Sequence, residues 1–486
     1  MKKIEIFLLL IALLLGAYFR FKNIGYDLVF NYDSARDMLV IRDIVINHKF
    51  TLLGPTTGIE GIFLGPFYYY LMVIPFVLSG GSPLSGAVMT AIFGVITIFL
   101  GYYFVKEVFK SQKLGIASAF LFAFSPLLIS YSRFPMNTNQ FPMCILLFYL
   151  FLFKVGQGKT RFLPFVSLLL GLSFSFEAAT AIFLFPTVAL FLFWNKTKVT
   201  LKNYIVSISV LIVTLLPQLL FELRHNFLMT NSLIRYLTTK ESFGGTTGSF
   251  LKESLLYFLV NIITTLIVRE ELFKGQNLIV EIVIIFSLLV LVYKSFKPKK
   301  ESLPYRVIFV WIFVSLLGLL FYKNSIWGWY MIPLFPAFAL LPVVLFKSLN
   351  KYLTFLILGL IIIANSQMWI SPGKIDDKTR WVLLRDQKKA VDFVYEDSVG
   401  RPFRVDVYVP YVIDYPYQYL WLWYGQKKYK SLPSPEREDL LYLIVEPNID
   451  KPSLRQAWID RHKTEGKVVM TKEIDPGIVI IKYEKN

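Results

Sequence analysis

The chain has 486 residues, of which 55% are hydrophobic, 17% aromatic and only 17% charged, a balance that excludes a soluble globular domain. Apolar runs of about 17–22 residues recur along it, so the bilayer is the solvent for most of the chain and the fold class is a polytopic α-helical membrane protein. The formal charge of +18 does not point to nucleic acid, because the lysines and arginines fall in short connections between apolar runs, which is the positive-inside pattern.

Met1-Lys-Lys precedes the apolar stretch Ile6 to Ala17, which Arg20 closes without a small-x-small cleavage site. This reads as a retained first span with a cytoplasmic N-terminus. Residues 21–83 then form a first external loop. It opens with Asn31-Tyr-Asp-Ser-Ala-Arg-Asp37, the densest charge beside an apolar span, at the head of a predicted helix over 33–48. Asp33, Arg36 and Asp37 stand at i, i+3 and i+4, so a helix puts all three on one face. A cation at that spacing favours the carboxylate form that a general base needs. Asn31 or Asp33 also suits the N-cap of that helix. A Gly/Pro-rich middle follows, then Phe67–Leu78, which the charge rule lays in the interface as a juxtamembrane helix starting after Pro66.

From Leu84 the flanking charges fix the alternation of spans: Leu84–Val105, Leu114–Ser130, Phe141–Phe153, Phe162–Phe176, Ala178–Phe193, Tyr204–Phe221, Asn277–Tyr293, Val307–Phe321, Met331–Phe346 and Tyr352–Trp369. With the first, about eleven transmembrane helices are expected. The loop 222–276 is the second external loop, with glycine-rich Gly244–Gly248 and an amphipathic run 251–268 that is interfacial or spanning. Residues 1–370 are thus read as one transmembrane domain. From about Ser371 the composition turns soluble. Helix-like 381–396 and 453–463 alternate with strand-like Phe403–Val409, Leu440–Val445 and Ile478–Tyr483, which predicts a small C-terminal α/β domain over 371–486, external by parity.

The single cysteine, Cys144, lies in an apolar run, which rules out an intramolecular disulfide and a cysteine metal cluster. His48, His225 and His462 lack metal-ligand spacing. Gly156-Gln-Gly-Lys-Thr160 resembles the end of a Walker A loop, but Phe153 stands where its first glycine belongs and no strand precedes it. No nucleotide or other cofactor is therefore called for, with assistance by a divalent metal left open. What remains is polarity at the external ends of spans: the 31–43 helix, Arg133 with Asn137 and Asn139, Glu177, Glu222 with Arg224 and His225, and Trp329 with Tyr330. Taken singly, these suit a headgroup anchor, a surface ion pair and an aromatic belt. Glu177 interrupts an otherwise apolar stretch, where a carboxylate is costly unless partnered or functional, and is assigned to a pocket.

The order of these features resembles the GT-C polyprenyl-phosphate-sugar glycosyltransferases, in particular the protein O-mannosyltransferases and lipid A aminoarabinose transferases. In those an Asp-Glu-x-Arg opens the first loop and its Asp is the proposed base; here Asp33-Ser-Ala-Arg36 matches, with Ser34 in place of the second acid. The family's Lys-Pro-Pro before Leu-Tyr-Tyr-Trp resembles Leu64-Gly-Pro-Phe-Tyr-Tyr-Tyr70, in which the lysine is missing. Arg-Phe-x-x-x-Asp resembles Arg133-Phe-Pro-Met-Asn137, and the late aromatic-proline motif resembles Trp329-Tyr-Met-Ile-Pro-Leu-Phe-Pro336.

The resemblance implies a membrane glycosyltransferase at the external face of the plasma membrane. It would move a sugar from a polyprenyl-phosphate donor to a lipid, glycan or protein acceptor, with Asp33 as base and Arg36 beside it. Asp37, Arg133, Asn137, Asn139, Glu177, Glu222, Arg224, His225, Trp329 and Tyr330 would bind substrate. Arg133 first, then Arg224, would replace the missing lysine at the donor phosphate. Two rivals are an oligosaccharide polymerase or ligase using a lipid pyrophosphate, against which the early Asp-x-x-Arg speaks, and a non-enzymatic lipid or glycan transporter. For the latter, mid-span charges and repeated halves are expected.

Overall fold

The computed structural model describes residues 3–238, 278–320, 322, 326–370, 381–410 and 413–485. Both Gly244–Gly248 and the run 251–268 lie outside them. The helices are α1 (Lys3–Phe21), α2 (Tyr32–Ile46), α3 (Phe67–Ser79), α4 (Pro83–Phe109), α5 (Gln112–Phe124), α6 (Pro126–Ser130), α7 (Phe141–Gly156), α8 (Leu163–Ser173), α9 (Ala178–Ala181), α10 (Leu184–Trp194), α11 (Leu201–Arg224) and α12 (Leu228–Thr238). There follow α13 (Leu278–Ser295), α14 (Lys299–Leu319), α15 (Phe335–Ala339), α16 (Leu341–Phe346), α17 (Lys351–Ile370), α18 (Leu384–Ser398), α19 (Tyr415–Leu420), α20 (Gln426–Tyr429) and α21 (Pro452–Arg461). The chain forms two compact units. Unit one is Met1–Lys22, Thr51–Leu71 and Met89–Ser371; unit two is Asn23–Phe50, Met72–Val88 and Pro372–Asn486.

Among the described residues six helical stretches are long and apolar enough to cross a membrane: Lys3–Phe21, Pro83–Phe109, Asn137–Gly156, Leu201–Arg224, Lys299–Leu319 and Gly328–Phe346. Shorter apolar helices stand at Phe67–Ser79, Gln112–Phe124, Thr160–Ser173, Ala178–Trp194, Ile282–Ser295 and Lys351–Ile363. The core of unit one is aromatic. Trp311 of α14 stacks on Tyr149 of α7 at 4.2 Å and donates its indole N–H to the Pro333 carbonyl at 2.9 Å. Small residues let helices close up: a Cβ at Gly171 of α8 would stand 2.7 Å from Cβ of Thr214 on α11. The stretch Thr51–Leu64 folds back on itself through Gly54 N–H to Leu64 O (2.8 Å) and Thr57 N–H to Ile62 O (3.0 Å).

Unit two is built on a four-stranded sheet of β1 (Arg404–Tyr408), β2 (Leu440–Val445), β3 (Lys467–Ile474) and β4 (Ile478–Glu484), in the order β1-β2-β4-β3. β1 and β2 pair in parallel, β2 with β4 and β3 with β4 antiparallel. The central β2, Leu-Leu-Tyr-Leu-Ile-Val, is buried along its whole length, as a strand covered on both faces must be. α18 supplies one cover because Leu384, Gln387, Val391, Val394, Tyr395 and Ser398 recur at helical spacing on its buried side. Trp458 and Ile459 of α21 pack on Leu441, Leu443, Val445, Ile481 and Tyr483. Helix α2 belongs to this unit. Its entry is tied down by the Leu384 N–H to Leu28 O bond (2.9 Å) and by Gln387 Nε2 to Phe30 O (3.3 Å).

Candidate functional site

In unit two, α2 begins because Asn31, in an extended conformation, accepts the Ser34 N–H on its side chain at 3.1 Å. The cap is therefore Asn31, and the Asp33 carboxylate is left for other work. The predicted shared face forms: Arg36 Nη1 donates to Asp33 Oδ1 at 2.9 Å, while Nε and Nη2 donate to Asp37 Oδ1 at 3.0 and 2.8 Å. The two acids differ in setting. The Asp37 side chain is 3% exposed and that of Asp33 46%, so the guanidinium neutralises a buried carboxylate and steadies an open one. Tyr32 braces the turn, its ring 4.9 Å from that of Tyr415 and beneath Arg36 at 5.9 Å.

The remaining predicted residues lie in unit one. Glu177 is in the turn between α8 and α9, outside both helices, and its carboxylate accepts the Ala179 N–H at 3.1 Å as the α9 cap. Burial pushes its pKa up to about 7, and the Ala179 bond pulls the other way. Asn137 donates to the Phe176 carbonyl at 2.5 Å, which fixes the residue before Glu177. The Tyr330 hydroxyl is 3.2 Å from that of Tyr322, and both are close enough to Glu177 to interact with it electrostatically. A Cβ at Gly58 would stand 2.8 Å from the Tyr330 hydroxyl, so the Thr51–Leu64 loop closes against this pair. The structure thus gathers Asn137, Glu177 and Tyr330, with Tyr322 added. Sequence reasoning passed over Tyr322; its sign was an aromatic hydroxyl just after an apolar span.

The other predicted residues are engaged locally. Arg133 donates Nη1 to the Phe19 and Arg20 carbonyls at 2.8 and 3.3 Å, closing the C-terminus of α1 as cations there do. Asn139 donates to Phe134 O at 2.9 Å. Glu222 accepts the Met229 and Thr230 N–H groups at 2.7 and 2.9 Å and the Thr230 hydroxyl at 2.5 Å, capping α12. The His225 ring lies on Phe221 at 4.0 Å, and Trp329 on Trp327 at 5.1 Å. Arg224 is exposed at the end of α11, with no hydrogen bond or ion pair among the described residues. Arg20, also passed over, is 1% exposed and donates to Gly16 O at 3.0 Å and Phe122 O at 3.2 Å. The Gly16/Arg20 spacing of one helical turn was its sign.

Comparison with solved structures defines the class: the fold is that of the GT-C glycosyltransferases. ArnT from Cupriavidus metallidurans in its apo state aligns with a TM-score of 0.62 at 11% identity, covering 98% of this chain and 97% of that one. The same enzyme bound to undecaprenyl phosphate aligns at 0.59 and 11% identity, with the same coverage. The Archaeoglobus fulgidus oligosaccharyltransferase, in complex with zinc and sulfate, aligns at 0.53 and 12% identity over 93% of this chain and 69% of that one. Residues 64–221 match the family model of dolichyl-phosphate-mannose-protein mannosyltransferases. A search of curated protein sequences finds no match. Together with its apolar helices, these likenesses make the chain an integral, multi-pass membrane protein.

Proposed function

We propose that the chain transfers a sugar from a polyprenyl-phosphate donor to an acceptor at the external face of the membrane, with Asp33 as general base. The observation that carries this is the Asp33–Arg36–Asp37 arrangement, in a fold shared along nearly the whole chain with an enzyme that binds undecaprenyl phosphate. An acceptor hydroxyl attacks the anomeric carbon, and the Asp33 carboxylate takes its proton. The bond from that carbon to the lipid phosphate breaks, and the phosphate leaves as an anion. Arg36 holds Asp33 in place while neutralising Asp37. Within unit one, Arg224 is favoured over Arg133 as a phosphate-binding cation, because Arg133 already closes α1. Positive-inside charges support a cytoplasmic N-terminus, with residues 371–486 forming an external module.

The test is release of radiolabelled sugar from a polyprenyl-phosphate donor by purified protein in nanodiscs, run beside a fluorescent-lipid translocation assay. Transfer to an acceptor with production of free polyprenyl phosphate is the expected result. Translocation without sugar release would replace the enzyme with a transporter, and turnover only of pyrophosphate-linked donors would make it a polymerase or ligase.

A further inference from the structure

A second pocket in unit two is separate from the Asp33 face. It has a volume of about 430 Å³ and lies between the C-terminal part of α2, the end of α3 and the α19–α20 segment. Its size falls in the range of small-ligand sites. The segment between α19 and α20, Trp421–Gly425, is π-helical, a local overwidening that proteins retain chiefly at functional positions. It projects Trp423 against the end of α3, where its indole N–H donates to the Gly80 carbonyl at 2.9 Å and the Tyr419 hydroxyl donates to that of Gly81. Gly81 is required there: its φ is +82°, and a Cβ would stand 3.1 Å from both Trp423 and Tyr419. The wall is therefore aromatic and rigid.

Two cations line the pocket, Arg42 from α2 and Lys427 from α20, and no carboxylate does. Neither cation has a hydrogen bond or ion pair among the described residues. Exposed aliphatic side chains line the pocket, Ile46 at 53% and Val77 at 57% exposed, and Leu78, next along α3, is 83% exposed. Two cations lining one pocket with no carboxylate call for a phosphate, and exposed aliphatic residues on an apolar helix beside it call for a hydrocarbon chain. Arg42 follows Asp33 by nine residues, about two and a half helical turns or roughly 13 Å along α2, on the opposite side of the helix. A donor whose anomeric carbon reacts near Asp33 cannot also place its phosphate there.

We propose that this pocket binds the headgroup phosphate of an anionic bilayer phospholipid, with the start of its acyl chain along Phe76, Val77 and Leu78. Binding fixes the outer end of α2 at the membrane surface. The inference stands apart from the transferase reading, because its test measures no turnover. Wild-type protein and a Trp423→Phe variant are titrated in detergent with brominated phosphatidylglycerol and brominated phosphatidylcholine, and tryptophan quenching is read. The Trp423-dependent quenching should appear at lower concentrations of phosphatidylglycerol than of phosphatidylcholine. In R42Q/K427Q the apparent affinity for phosphatidylglycerol should fall about thirtyfold, since each basic residue near an anionic lipid surface is worth about fivefold. Native mass spectrometry should show one phosphatidylglycerol fewer retained by R42Q/K427Q than by wild type. Equal quenching by the two lipids, or unchanged affinity and lipid retention in R42Q/K427Q with a native melting temperature, would overturn the proposal. So would undecaprenyl phosphate displacing phosphatidylglycerol as the tighter ligand.

Discussion

One set of polar side chains in each unit shows two opposite uses. In unit one Glu222, Asn137, Asn139 and Arg133 direct hydrogen bonds to backbone groups, capping α12, fixing the residue before Glu177, bracing the Phe134 turn and closing α1. In unit two Arg36 instead holds two ionisable side chains, one shut away and one open to solvent. A side chain bonded to backbone locks a turn, and its loss is felt as stability. An open carboxylate held by a cation that is itself fixed by a buried partner keeps its charge available to a ligand, and its loss is felt as chemistry. By that contrast, several residues expected to bind substrate carry architecture, while Asp33 is the one whose structural duty, the helix cap, has been taken over by Asn31.

The largest break in this contrast is Arg36→Met. It removes the Arg36 cation from the buried Asp37 carboxylate, a change that costs about 3–5 kcal/mol where a buried pair loses one partner. A denaturant or thermal melt of the detergent-purified protein should show it, together with loss of transfer. Next comes Glu222→Ala, which orphans the Met229 and Thr230 donors and should cost about 1–3 kcal/mol while transfer at low temperature survives. Lost transfer at an unchanged melting temperature would instead move Glu222 into the site. Asn31→Ala should cost about 1 kcal/mol for the lost cap, with turnover retained once the protein is folded.

A separate effect is a slope with pH. Glu446, at the end of β2, accepts from Gln387 Nε2 at 3.2 Å, and burial, partly offset by that bond, raises its carboxyl from 4.5 to about 7. The folded state then binds this proton more tightly than the unfolded chain. Its contribution is fully present below pH 4.5 and is lost as pH rises to about 7. The melting temperature should fall across that window and level off above it. Glu446→Gln, neutral at every pH, should flatten this part of the profile.

The head of α2 was legible in the sequence because cap and shared face depend only on helical geometry over seven residues. The strands β2 and β4 were legible as apolar runs and β1 by its alternation. Strand β3 was not: Lys467-Val-Val-Met-Thr-Lys-Glu-Ile474 lies at the sheet edge, mostly exposed, and has no alternation to read. The place of Arg133 was hidden for another reason. Its partners Phe19 and Arg20 lie over 110 residues away, and no local pattern encodes that meeting. Tyr322 and Tyr330 are only eight residues apart, but the approach of that pair to Glu177 is long-range in the same way. Motif order carried the fold class, and it could not say which cation has no ion pair among the described residues.

The role proposed for the Asp33 carboxylate is to take a proton in the transfer step. Asp33→Asn keeps the size of the side chain and leaves the Asn31 cap untouched, so expression and melting temperature should stay close to wild type. Transfer of radiolabelled sugar from a polyprenyl-phosphate donor should fall at least about a hundredfold, the lower end of what a general base contributes. Transfer by Asp33→Asn at near the wild-type rate would contradict the claim and turn attention to Glu177 as the next carboxyl group to test.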